Sequence, residues 1–319
     1  MTRLTLAEFR ARSSEYDAAV ALSREESTFC SSTLWQLAAH DHLHRIPAEN
    51  RHFIVEESGS WLAFFEREQP GIFYPFEAAW MFGCPLVGAI DETIDLLERS
   101  SREWLGGAAG FCISGIPLGG ESHSKLRLIE PVARHYQEFP TTDCMILDLA
   151  DGVEAWLSRR SKKLRRTLHQ AEEVSDVEVV SFGQENPEEL FLRILEVQKQ
   201  TYKWGEGSDI FQFPEYAAFY RSLLGDLHRR RQLRLLFARS GGTDVAYIFG
   251  GIAGNTYRGL QMSYIEEFRS RGLGNRLQLE NIRRCAGEGI TRYDLGMHAP
   301  YKERWADRKE VYTGIFIVW

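Results

Sequence analysis

Residues 257–289 read YRGLQMSYIEEFRSRGLGNRLQLENIRRCAGEG, a strand, a tight glycine turn and a helix in immediate succession. Leu260, Met262 and Tyr264 alternate with polar residues, the period of a half-buried strand. Arg269-Ser270-Arg271-Gly272-Leu273-Gly274 follows. Beyond it Leu279, Ile282 and Ala286 fall three and four apart on one helical face, and Gly287 and Gly289 supply the stop.

A basic, glycine-containing turn that opens a helix is an anion site. The first helical N–H groups have no partner within the helix, and the macrodipole puts partial positive charge there. Gly272 and Gly274 carry no β-carbon to hold a ligand off the backbone, and Arg269 and Arg271 add full charges. The expected ligand is a phosphate or a pyrophosphate.

The 319 residues suit two compact domains. With 44% hydrophobic and 26% charged residues the composition is that of a soluble globular protein. The net charge of -7 argues against a general polyanion binder. The N-terminal MTRLTLAEFRARSSEYD lacks the apolar core of a signal peptide, and no apolar run reaches membrane-spanning length, so a cytoplasmic protein without a membrane partner is expected. Cys30, Cys84, Cys112, Cys144 and Cys285 are scattered and read as reduced thiols. His40, His42 and His44 have no Cys or acidic partners at zinc spacing; they read as a solvated helix end, and no metal is expected.

The first half, 1–150, alternates helices with short strands; Phe53–Val55 and Trp61–Phe65 form a hairpin through Gly59. Its dense aromatics, from Trp61 to Phe82, read as core. The second half, 151–319, opens with one long helix in which Arg159, Arg160, Lys162, Lys163, Arg165 and Arg166 make six basic residues in eight. That face is either solvated or a contact for the 3′-phosphate of CoA, RNA or another anionic polymer. A strand at 177–182, a helix from Glu188 to Trp204 and a helix from Tyr216 to Arg230 come next. Three meandering strands (233–238, 245–253, 256–265) then lead into the glycine turn. The apolar VAYIFGGIA reads as mid-sheet. The fold class is α+β.

The order of these pieces resembles a known family. The segment S-K-K-L-R-R-T-L at 161–168, Tyr202-Lys203-Trp204, F-Y-R-S-L-L at 219–224, the meander, R-S-R-G-L-G at 269–274, then Asp294-Leu295-Gly296 and Tyr301-Lys302-Glu303-Arg304-Trp305 are similar to the CelD-like branch of the GNAT acyltransferase superfamily over some 165 residues. The resemblance implies a GNAT fold in the second half, and a degenerate GNAT-like domain in the first. It also implies acyl transfer from acetyl-CoA or another acyl-CoA to a small-molecule or peptide amine. By the same resemblance Tyr264, Ile265, Arg269, Arg271, Gly272, Leu273, Gly274 and Asn275 would hold the CoA, with a backbone N–H around Tyr264–Glu266 meeting the acyl carbonyl. The layout is also similar to Fem-type transferases, which use aminoacyl-tRNA, the one setting in which a nucleic acid partner is expected. An acyl carrier protein stays open as donor, and a non-catalytic binding role is a third reading. The sequence departs from the family pattern at Met297-His298-Ala299-Pro300.

Direct attack by an amine on a thioester needs a base, stabilisation of the oxyanion and a proton for the departing thiolate. His298, with a reference pKa of about 6.5, needs the least tuning as base; Asp294 and Glu266 are the other candidates. Tyr301 is the candidate acid, and Lys302 would orient the carbonyl or a phosphate, or pair with Glu303 or Asp307. Nothing suggests a covalent Ser or Cys intermediate.

Overall fold

The computed structural model describes residues 1–22, 27–44, 51–67, 69–106 and 109–319. The chain is α+β with two sheets and forms two units, Met1–Asp143 with Glu310–Trp319, and Cys144–Lys309. The expected boundary at 150/151 is displaced at both ends of the second unit. Strand Cys144–Asp148 pairs antiparallel with Arg292–Met297 and so belongs to the second sheet. The last strand, Tyr312–Val318, instead inserts between Gly110–Pro117 and His135–Pro140 of the first. Both pairings join segments far apart in sequence, which local periodicity does not report.

In the first unit Ser60–Glu66 is buried along its whole length. Alternation sends Leu62 and Phe64 into one core with Phe53, Val55 and Phe111, and Trp61, Ala63 and Phe65 into another with Phe9, Tyr16 and Phe76. The hairpin turn before it places Ser58 and Gly59 both at positive φ (51° and 86°), the geometry of a type I′ connection. The fully buried Glu77 carboxylate organises the following loop by accepting the N–H groups of Ala79, Trp80, Met81 and Phe82. His40 is not at a solvated helix end. It is 2% exposed, with Nε2 3.0 Å from His52 Nε2 and Nδ1 3.0 Å from Asp41 Oδ1. Among the described residues no group of three or more His, Cys, Asp or Glu side chains is placed to hold a metal ion, and no helix is long and apolar enough to cross a membrane.

The second unit runs β1 (Cys144–Asp148), α1 (Gly152–Ser158), α2 (Lys162–Glu172), β2 (Glu178–Ser181), α3 (Pro187–Gln198), α4 (Tyr202–Gly205), α5 (Pro214–Arg229), β3 (Leu233–Ser240), β4 (Thr243–Ala253) and β5 (Thr256–Tyr264). It ends with α6 (Leu273–Gly287), β6 (Arg292–Met297), α7 (Pro300–Glu303) and β7 (Arg308–Glu310). The sheet order is β7-β1-β6-β5-β4-β3-β2, with β4 in the interior, flanked on both sides, as its apolar run requires. Two expected helices are each broken by a capping hydroxyl. Ser161 Oγ accepts the Leu164 N–H at 3.1 Å and splits the long basic helix into α1 and α2. Thr201 Oγ1 accepts the Trp204 N–H at 3.3 Å and separates α4 from α3.

Candidate active site

The site begins where β5 and β6 part. The two strands pair in parallel only at Thr256–Arg292, Tyr257–Tyr293 and Arg258–Asp294. At the last rung Arg258 Nη1 lies 2.5 Å from Asp294 Oδ2, both side chains buried. Asp294 Oδ1 accepts the Gly296 N–H at 2.7 Å, and Gly296 takes φ 79°, so β6 bends away from its neighbour. Asp294, a candidate base, is thus engaged by a guanidinium and a backbone amide beneath the gap.

One wall of the gap is the outer edge of β5. Tyr264 stands opposite Ala246, and the Ile265 N–H donates to Val245 O at 2.9 Å. In an antiparallel ladder the donors alternate in direction, so the Tyr264 N–H points away from β4, toward the gap. The Glu266 N–H donates to Gln200 O at 3.0 Å. Of the three expected carbonyl donors only Tyr264 faces the site, and Ile265 is buried in the sheet.

The glycine turn follows. Residues 266–271 make a 3₁₀ turn, and Gly272 occupies the left-handed region (φ 67°, ψ 23°) as the cap of α6, offering no side-chain acceptor. The N–H groups of Asn275 and Arg276 return to Gly272 O, leaving those of Leu273 and Gly274 directed out of the helix end. A β-carbon at Gly274 would touch Met262 and Tyr264, so any larger side chain there would fill the gap itself. Arg269 stands at the rim, 3.0 Å from Glu266 and 5.6 Å over the Tyr202 ring. Arg271 does not join it: its guanidinium pairs with Asp176 and does not line the cleft. Its place is taken by Arg304, whose Nη2 donates to Asn275 Oδ1 at 2.8 Å.

These elements enclose a cleft of about 400 Å³. Tyr264, Arg269, Gly272, Leu273, Gly274 and Asn275 line it on the β5–α6 side, and Tyr301, Lys302 and Trp305 on the β6 side. α4 contributes Tyr202 and Lys203. The α7 segment is clamped from below. Trp156 stacks on Trp305 (5.9 Å, 14°) and donates to its carbonyl at 3.1 Å, while Arg160 donates to the carbonyls of Trp305 and Ala306 at 2.7 and 2.6 Å. Arg159 and Arg160 both pair with Asp307. Two of the six clustered basic residues therefore hold the site loop, Arg160 from a buried position and Arg159 from an exposed one.

Lys302 Nζ donates to Met297 O at 2.8 Å and feels Arg258 below and Lys203 across the cleft. Desolvation first and Arg258 next lower its pKa to about 8, with Asp294 and Cys144 opposing and Lys203 adding a smaller push downward. Tyr301 is 53% exposed, yet desolvation and the nearby phenols of Tyr202 and Tyr264 raise its pKa, keeping the hydroxyl protonated at neutral pH. His298 does not line the cleft; its Nε2 sits 2.8 Å from Glu303 Oε1 at the surface. Tyr202 and Lys203 lie within the quoted Tyr202-Lys203-Trp204 segment, more than sixty residues before the glycine turn, and nothing local to that segment places them in the cleft. Arg304 lies within the quoted Y-K-E-R-W motif.

Residues 158–303 match the sequence profile of the Acetyltransferase (GNAT) domain. No curated protein sequence matches the chain. Among solved structures, FemX superposes with a TM-score of 0.71 at 12% identity, over 100% of this chain and 98% of that one. A conserved protein of unknown function from Bacteroides thetaiotaomicron gives 0.65 at 12% identity (100% and 99%). The tandem GNAT protein from the clavulanic acid biosynthesis pathway gives 0.51 at 11% (98% and 97%). At such identities these likenesses speak for the fold alone.

Proposed function

We propose, for a chain whose residues 158–303 are a GNAT acetyltransferase domain, that the second unit is an N-acyltransferase taking its acyl group from acetyl-CoA or a related acyl-CoA. The observation that carries the reading is the gap between β5 and β6 ending on the uncapped N-terminus of α6, flanked by Arg269 and Arg304. Free N–H groups, helix dipole and two guanidiniums make a pyrophosphate site, and the gap leads from it to an inward-facing backbone donor.

In this reading the Tyr264 N–H stabilises the carbonyl oxygen as it gains charge. Lys302 in its free-amine form takes a proton from the attacking amine. With a pKa of about 8, roughly a tenth of it is available at pH 7. The C–N bond forms, the C–S bond breaks, and Tyr301 gives its proton to the departing thiolate. Lys302 thus replaces His298, Asp294 and Glu266 as the base, and its expected role as a simple orienting cation gives way to proton transfer. The five cysteines are all buried thiols, which supports a reducing, cytoplasmic setting. A Fem-type use of aminoacyl-tRNA is the second reading. It is favoured by the exposed basic residues that remain on α2, Lys162, Lys163, Arg165 and Arg166.

The test is acetyl-CoA-dependent release of free thiol with a panel of amines, run beside aminoacyl-tRNA consumption. Thiol release that needs an amine supports the first reading. Consumption of aminoacyl-tRNA without thiol release supports the second and removes the first.

A further inference from the structure

Seventeen residues line the cleft. Lys203, Arg269, Lys302 and Arg304 are among them, and not one is Asp or Glu. This is a concentrated positive field in a chain whose net charge is -7. The nearest carboxylates are engaged elsewhere: Glu266 pairs with Arg269 at the rim, Glu303 with His298, and Asp294 with Arg258 beneath the floor.

The four cations divide by position. Arg269 and Arg304 flank the anion loop, Arg304 through Asn275. Lys302 stands at the other end, against Met297 O and close to Gly296, and Lys203 is its like-charged neighbour. Neither lysine has an ion-pair partner among the described residues. Asp294, held by Arg258 beneath the floor, offsets part of the charge on Lys302, whereas Lys203 has no carboxylate within ion-pair distance among the described residues, so an anion entering the cleft meets an uncompensated charge there. A pyrophosphate at the α6 N-terminus is already served by the helix end and the two arginines.

We infer that the acceptor is an amine that also carries an anionic group, a carboxylate or a phosphate, and that Lys203 receives this group while the amine faces Lys302. The inference rests on the acyltransfer reading and narrows it. An acceptor with several positive charges, such as a polyamine, would meet four cations and no carboxylate. An anionic amine is drawn in, and the same field favours loss of its ammonium proton before attack. Lys203 is thereby a specificity-determining residue.

The experiment is calorimetric titration of the full chain with matched pairs that differ only in the anionic group: glucosamine 6-phosphate against glucosamine, and lysine against cadaverine. Each is run with and without CoA. The expected result is that the anionic member of a pair binds about tenfold more tightly or better. Lys203→Gln should shrink that ratio, and Lys203→Glu should invert it. Circular dichroism of both variants checks the fold. Equal binding within the pairs, no binding by either member, or a ratio unmoved by Lys203→Glu would overturn the inference. The CoA arm separates the two levels: an anionic preference in a chain that does not bind CoA refutes the donor reading and supports the charge selectivity of the cleft.

Discussion

Arg258 and Asp294 meet 2.5 Å apart at the last rung that β5 and β6 share, and beyond this pair the strands separate to open the cleft. Both side chains are buried, so removing either partner leaves an uncompensated charge. Asp294→Ala should cost about 3–5 kcal/mol of stability in the second unit, readable by urea unfolding. Asp294→Asn should lower stability and, by removing the carboxylate charge that holds the Lys302 pKa up, move the rising limb of turnover to lower pH. Loss of the limb together with turnover in Asp294→Asn would instead make Asp294 a proton carrier.

Lys302 is the group whose titration should shape the rate. As a base it works only when deprotonated, so kcat/KM should rise with pH and level off above about 8. Lys302→Met should lower turnover by roughly 10²–10⁴. Lys302→Arg keeps the charge and cannot deprotonate, so it should be equally inactive while retaining CoA affinity. An active Lys302→Arg enzyme would remove Lys302 from proton transfer.

Tyr301 and His298 separate the cleft from its surroundings. Tyr301→Phe should slow turnover about tenfold or more with little change in CoA binding, because only the leaving-group proton is lost. His298→Ala should change turnover little, since the imidazole pairs with Glu303 outside the cleft. Steady-state kinetics of the two variants side by side decides between them as proton carriers.

The first unit should be sensitive to acid through its buried histidines. His44 Nε2 accepts the Ala78 N–H, and burial lowers its pKa from 6.5 to about 4. The unfolded chain therefore binds the proton first as pH falls. Stability contributed by neutral His44 is present above pH 6.5 and is lost between 6.5 and 4, by about 3 kcal/mol at the end of the window. His52, lowered to about 4 by burial and then by His40, adds in the same direction. Thermal unfolding at pH 7 and pH 4.5, compared with His44→Gln, should show a smaller acid loss in the variant.

The glycine turn and its helix were legible in the sequence because their signals are local. Strand period, glycine spacing and helical period all fall within 33 residues, and Tyr264, Arg269, Gly272, Leu273, Gly274 and Asn275 do line the cleft. What was not legible depends on distant partners. The fate of Arg271 depends on Asp176, that of Arg159 and Arg160 on Asp307, and that of Asp294 on Arg258. The altered Lys302 follows from burial beside Arg258 and Lys203, which spacing does not encode. Tyr202 and Lys203 enter the cleft because Thr201 breaks a helix that apolar periodicity alone would continue.

The binding of CoA to the second unit is best read by calorimetric titration of acetyl-CoA into the full chain and into Arg304→Glu and Arg271→Glu. Arg304 lines the cleft and Arg271 does not. The expected result is saturable binding by the parent chain, retained in Arg271→Glu and weakened about tenfold or more in Arg304→Glu. Absence of binding by the folded parent chain, or equal losses in the two variants, would contradict the assignment of the β5–β6 gap and the α6 N-terminus as the acyl-CoA site.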